Sequence, residues 1–183
     1  RLYMELVRRT LDRGRQVLLL APEVALAEKL HRAACRAFPE VGPVFYHGYQ
    51  SPALREALFW RCGGGSPPSV VAGTRSALLL PLRDLGLIVL DAEHDGAFKQ
   101  EDRLPYQAKE VGFFRARQSG ALFVLGSATP DVKTFHAAQS GHVPMVRLER
   151  RVGGGGMPRV ELLDMRGAAK LTGSAMRRES GDR

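Results

Sequence analysis

A chain of 183 residues, 44% hydrophobic and 25% charged, suits one domain or one domain with part of a neighbour, and no apolar run nears the roughly 18 residues that span a bilayer. The net charge of +8 points to an anionic partner, nucleic acid first, although a basic surface without a partner would carry the same surplus. Aromatic residues, at 7%, are too few for a broad base-stacking platform, and Cys35 and Cys62 lack the CxxC or Cys/His spacing of a zinc site, which leaves reduced thiols in a cytosolic protein.

Residues 1–13 put Leu2, Leu6 and Leu11 on one face with Arg8, Arg9 and Arg13 elsewhere, a helix ending at Gly14. It is amphipathic and charged, unlike a signal peptide, and starts without a cap, as if cut from something longer. Val17–Leu20 is a buried-type strand, and Pro22-Glu23 opens a helix through about Phe38. Val44–His47 is a weaker strand; Ser51-Pro52 then starts a helix running to about Cys62, with Ser as N-cap and Pro in the first position. Strands follow at Ser69–Ala72 and Leu87–Leu90, a helix at Tyr106–Gln118, a strand at Ala121–Leu125 and a helix from about Asp131 to Gln139. Weaker strand patterns occupy Val143–Leu148 and Arg159–Leu163. Strands alternating with helices imply an α/β fold, a doubly wound, mostly parallel sheet with helices on both faces. Residues 1–150 form that lobe; residues 151–183 read as a linker, with its tetraglycine Gly153–Gly156, and the start of a following lobe, its polar tail from Arg166 expected to be poorly ordered.

Four strands end in distinctive clusters: Ala21-Pro22-Glu23, Gly73-Thr74-Arg75-Ser76, Asp91 to His94, and Gly126-Ser127-Ala128-Thr129-Pro130. On a parallel sheet these ends share one edge, where ligands bind. Thr74, Ser76, Ser127 and Thr129 can donate to phosphate oxygens, and Arg75 adds charge. Asp91 ends an apolar strand; it either holds a metal-bound phosphate or caps the next turn.

Leu20-Ala21-Pro22-Glu23-Val24-Ala25-Leu26, Gly73-Thr74-Arg75-Ser76-Ala77-Leu78, Asp91-Ala92-Glu93-His94-Asp95, Phe98-Lys99-Gln100 and Gly126-Ser127-Ala128-Thr129-Pro130, in that order, resemble the first motor lobe of the PriA family of primosomal replication-restart helicases, in superfamily 2. The resemblance covers the chain to about Arg166. It implies a three-layer, RecA-like P-loop NTPase helicase lobe from a bacterial, cytoplasmic, nucleoid-associated protein. Asp91 then looks like the residue that coordinates Mg2+ on ATP, with Glu93 and His94 completing a catalytic acidic box. Ser127 and Thr129 match the motif coupling nucleotide state to DNA movement. Pro22, Glu23, Thr74, Arg75 and Ser76 fall in motifs lining a single-strand path, and the loop carrying Phe98, Lys99 and Tyr106 corresponds to one that senses single-stranded DNA. The implied partners are single-stranded and forked DNA, primosome and helicase-loading proteins, and single-stranded DNA-binding protein; zinc is not expected in this segment.

Two departures bear on activity. The family's glycine-rich phosphate loop would precede the first helix, so the lobe is expected to be truncated after it, and Ala92 stands where the family has a Glu that orients or deprotonates water. Glu93 could compensate if the strand stays extended, since i and i+2 then share a face. The leading expectation is a fragment, inert by itself, of an ATP-dependent 3′-to-5′ helicase that remodels stalled forks and initiates primosome assembly; the alternative is a non-hydrolysing fork-DNA scaffold with Ala92 as its mark. A third reading, a nucleotide-binding oxidoreductase, would need GxGxxG after the first strand, and Leu20–Ala25 offers no such glycines.

Overall fold

The computed structural model describes residues 2–102, 104–149 and 159–162. Every helix and strand among them lies in a first compact unit, Arg1–Pro144. The chain runs α1 (Leu2–Leu11), β1 (Gln16–Leu20), α2 (Val24–Ala37), β2 (Val44–Tyr46), α3 (Pro52–Gly63), β3 (Val70–Gly73), β4 (Leu85–Asp91), β5 (Lys99–Gln100), β6 (Tyr106–Gln107), α4 (Ala108–Ser119), β7 (Leu122–Gly126) and α5 (Val132–Gln139). Short 3-10 turns sit at Pro39–Val41, Arg75–Leu79 and Gly96–Phe98.

The main sheet is five-stranded and parallel throughout, in the order β2-β3-β1-β4-β7. Central β1 reads Gln-Val-Leu-Leu-Leu and is buried along its whole length, as a strand covered on both faces must be. Its one polar side chain is fully satisfied: Gln16 donates to the Pro68 carbonyl at 3.0 Å and accepts from the Asp84 N–H at 2.9 Å. Alternation along β1 and β4 divides the core into two layers. Val17, Leu19, Leu87 and Val89 pack with Val7 of α1 and Ala34 of α2 on one face; Leu18, Leu20, Ile88 and Leu90 pack with Leu78, Phe98 and the α4 residues Ala108 and Ala116 on the other. Each fully buried Leu or Ile contributes on the order of 1.5–3 kcal/mol, so these two strands hold the lobe together.

The three-layer architecture agrees with expectation, and Ser51 caps α3 by accepting from the Leu54 N–H at 3.3 Å. The differences are local. Pro22 does not open α2: the Ala21 N–H still bonds the Gly73 carbonyl at 3.1 Å, so the sheet ladder holds Pro22 in a turn and Glu23 becomes the N-cap residue, with no cap bond from its side chain. Tyr106 and Gln107 lie before α4, drawn into an antiparallel pair with Gln100 and Lys99. The strands expected at Val143–Leu148 and Arg159–Leu163 are absent among the described residues. Residues 144–149 and 159–162 have no regular structure, no neighbouring strand supplies them with a ladder, and Val146 and Leu162 are 81% and 97% exposed. Leu163, Gly153–Gly156 and the tail from Arg166 lie outside the described residues.

Candidate functional site at the carboxyl edge of the sheet

Parallel register brings the strand ends together. Leu20 pairs with Gly73 and Leu90, Tyr46 with Gly73, and Asp91 with Gly126, so the four clusters after β1, β3, β4 and β7 line one edge together with the end of β2. At one point the approach is so close that only glycine fits: a Cβ on Gly73 would lie 2.1 Å from the Tyr46 carbonyl oxygen.

Asp91 ends β4, and its Oδ1 accepts a 2.8 Å hydrogen bond from the Tyr3 hydroxyl of α1. Burial raises the Tyr3 pKa well above the ordinary phenol, and the bond to Asp91 and its charge raise it further, so this hydroxyl stays protonated and donating. A Cβ on Gly126 would stand 1.8 Å from that hydroxyl oxygen and displace it.

The backbone turns sharply after Asp91. Ala92 has φ +53°, in the left-handed region, and is the one non-glycine residue described there. The strand therefore does not stay extended, and Glu93 does not share a face with Asp91. Asp91 faces α1, whereas the Glu93 carboxylate, with its side chain 1% exposed, turns toward α4 and α5. There Glu93 forms an ion pair with Lys109 of α4, accepts from the Asp131 N–H at 2.8 Å through Oε1, and from the Thr134 hydroxyl at 3.2 Å through Oε2. Lys109 also pairs with Asp131 and donates to Thr134 Oγ1 at 2.9 Å. Burial pulls the Lys109 pKa down, but its bonds to Asp131 and Glu93 outweigh this and the net direction is up. Burial likewise pushes Asp131 up; the Lys109 hydrogen bond and then the Thr134 N–H reverse this and hold it at about 2. Asp131 caps α5 through that Thr134 N–H at 2.8 Å.

The acidic box is also joined to the loop after β7. The Glu93 N–H bonds the Gly126 carbonyl at 3.0 Å, His94 Nδ1 lies 2.7 Å from Ser127 Oγ, and the same oxygen accepts from the Thr129 N–H at 3.0 Å. Glu93, His94, Ser127 and Thr129 are thus joined, while the Asp91 side chain stands apart on the opposite face with Tyr3.

The candidate DNA residues divide. Glu23 is exposed at the edge, and Thr74 and Ser76 are part-exposed with their hydroxyls 3.3 Å apart. Pro22 is buried. Arg75 turns inward: its Nη1 donates to the carbonyls of Ala97 and Lys99, at 2.6 Å each, and pins the loop after the box. Phe98 on that loop is 1% exposed and belongs to the core, because the 3-10 turn capped by Asp95 folds it inward. Lys99 is exposed and paired with Glu101 at 2.6 Å, while Tyr106 borders a groove of about 350 Å3 with Pro105, Gln107 and Glu110. Tyr3, Lys109 and Thr134 were not legible as site residues, since their contacts span 88, 16 and 41 positions. The placement of Asp131 directly before a helical pattern was the one available signal for the cap.

Magnesium-bound ATP, which the motifs imply, finds a poor fit for hydrolysis here. Asp91 offers a carboxylate with one oxygen on Tyr3, position 92 offers a methyl group, and Glu93 is closed into its ion cluster.

No protein-family model matches the chain. It is similar to the replication restart protein PriA of Bacillus subtilis strain 168, 33% identical over 165 residues, covering 90% of this chain and 20% of that protein. The PriA of Treponema pallidum strain Nichols is 36% identical over 162 residues (88% and 24%), and that of Chlamydia muridarum 35% over 170 residues (89% and 22%). The chain spans a fifth to a quarter of these relatives' length. Among solved structures it is similar to RecG bound to a three-way DNA junction, with a TM-score of 0.53 and 19% identity, covering 90% of this chain and 21% of RecG; at that identity the likeness is one of fold. Along about nine-tenths of its length, the chain corresponds to one segment of the replication restart protein PriA.

Proposed function

We propose that this lobe serves a replication restart protein as a DNA-binding element for forked and single-stranded DNA, and that its acidic box acts as a structural clamp without hydrolysing ATP. One observation carries the reading: Ala92 supplies no acid to take a proton from water, and Glu93 does not replace it. The Glu93 carboxylate is buried on the face opposite Asp91 and paired with Lys109. DNA binding is supported by the net charge of +8, by the edge hydroxyls of Thr74 and Ser76, and by the PriA relatives. The role of the clamp is to fix the loop carrying Ser127 and Thr129, as Glu93 holds the first residues of α5 and His94 holds Ser127. Recruitment of helicase-loading proteins belongs to the same reading.

The rival is an ATP-driven 3′-to-5′ helicase in which Asp91 holds Mg2+ on ATP; what favours it is the position of Asp91 at the end of β4. Steady-state ATP hydrolysis by the full-length protein, with saturating forked DNA, separates the two. The proposal expects no turnover above that of an Asp91→Asn variant, and Ala92→Glu is the change that supplies the missing acid. DNA-stimulated turnover in the natural protein that Asp91→Asn abolishes would sink it.

A further inference from the structure

We infer that the carboxyl end of β2 is a base-stacking station for single-stranded DNA, with Tyr49 as the stacking ring; this rests on the DNA-binding reading above and extends it to a strand end with no role so far. Four rings form a column: His31 stacks on Phe45 with centroids 5.2 Å apart, Phe45 meets His47 at 4.9 Å, and His47 meets Tyr49 at 6.5 Å. The inner members are anchored, as His31 Nε2 lies 3.0 Å from the Pro43 carbonyl and Phe45 lies within β2. The outermost ring is not covered: Tyr49 is 91% exposed. His47 keeps its place in the column although its Nδ1 is buried without a hydrogen-bond partner, which costs free energy, so ring packing rather than a polar contact sets its position.

The turn that presents Tyr49 is fixed before any ligand arrives. Gln50 accepts from the His47 N–H at 3.0 Å and donates to the Phe45 carbonyl at 3.0 Å, while its own N–H bonds the His47 carbonyl at 3.3 Å. With the backbone of the turn held, only the torsions of the Tyr49 side chain remain to be fixed when a base settles on it. Beside this turn a groove of about 300 Å3 is lined by Tyr46, Pro52, Arg55, Glu56 and Phe59, with Arg55 available to a backbone phosphate. The station is continuous with the rest of the edge: the Thr74 N–H bonds the Tyr46 carbonyl at 3.2 Å, so a strand passing Thr74 and Ser76 reaches Tyr49 next. A nucleobase fits this ring because every base has a π-face, and one ring with one arginine suits a single unpaired nucleotide, not a duplex.

The test is fluorescence anisotropy of the full-length protein on labelled single-stranded and fully paired DNA, with Tyr49→Ala and Tyr49→Phe. Loss of one base stack predicts about tenfold weaker single-strand binding for Tyr49→Ala, with Tyr49→Phe within about twofold of the natural protein. Duplex binding and the slope of affinity against salt should not change, because no charge is removed. An abasic site walked along the single strand should erase the difference between natural and Tyr49→Ala protein at one position. Tyr49 is almost wholly solvent-exposed, so folding is not at issue. Unchanged single-strand affinity in Tyr49→Ala, with the natural protein binding normally, overturns the station and leaves the ring to a protein partner, while the DNA-binding reading survives. An equal loss on duplex overturns it too. Failure of the natural protein to bind DNA at all overturns both.

Discussion

Replacing Lys109 with methionine isolates the clamp. The substitution removes the ammonium group that neutralises Glu93, whose side chain is 1% exposed, and keeps most of the lysine stem's volume. Breaking a buried ion pair from one side costs about 3–5 kcal/mol, because the remaining charge is left in a low-dielectric site. Two features reduce that here: Glu93 keeps the Asp131 N–H at 2.8 Å and the Thr134 hydroxyl at 3.2 Å, and the Lys109 side chain is 19% exposed, so water can partly replace it. The expected loss is therefore about 3 kcal/mol, at the low end of that range. With a urea slope of about 2 kcal/mol per molar, the unfolding midpoint of the chain should fall by about 1.5 M. Adding Glu93→Gln to Lys109→Met removes the stranded charge while the amide oxygen can still accept from the Asp131 N–H and the amide NH2 can donate to the Thr134 hydroxyl oxygen that Lys109 has vacated, so the double variant should regain about 1–2 kcal/mol over the single one. A Lys109→Met midpoint within about 0.3 M of the natural chain, or a double variant no better than the single, would refute the clamp.

Three further outcomes follow from the same contacts. Asp131 has a folded pKa of about 2 against an ordinary 3.8, so its contribution is present above pH 3.8 and is lost as pH falls toward about 2; an Asp131→Asn variant, which can still cap α5, should show a flatter stability curve there, and identical acid limbs would count against the Lys109 pairing. Ala92→Gly should stabilise the chain by about 1 kcal/mol by relieving the left-handed backbone at φ +53°, which thermal unfolding can read; a destabilised glycine variant would mean the turn is not strained. Arg75→Ala should speed amide exchange at residues 97–100, since it removes both hydrogen bonds that hold that loop to the 3-10 turn after β3; unchanged exchange would mean the loop is held by Phe98 alone.

The parallel core was readable because period and burial coincide: the apolar runs at Val17–Leu20 and Leu87–Leu90 are strands buried on both faces, and Ser51-Pro52 carries its own start signal. The joining of the strand-end clusters into one edge followed from parallel pairing alone. What was not readable is where side chains turn. Glu93 would share a face with Asp91 only if the strand stayed extended, but Ala92 takes a left-handed conformation that nothing in an alanine announces, and the face is reversed. Arg75 reads as a free cation in sequence and is closed onto two carbonyls by a loop 22 to 24 residues away. Lys109 sits in a helix of ordinary polar composition, so only the fold shows that it meets Glu93. At Val143–Leu148 an apolar pattern was not enough, since a strand also needs a neighbour to bond.

The most direct measurement follows a labelled fork with the full-length protein, before and after ATP and Mg2+ are added, and records both bound fraction and strand displacement. Binding that weakens steeply with salt, is indifferent to ATP and releases no strand is the predicted result. ATP-dependent strand displacement with Ala92 in place would contradict the claim that this box clamps the lobe and does not hydrolyse.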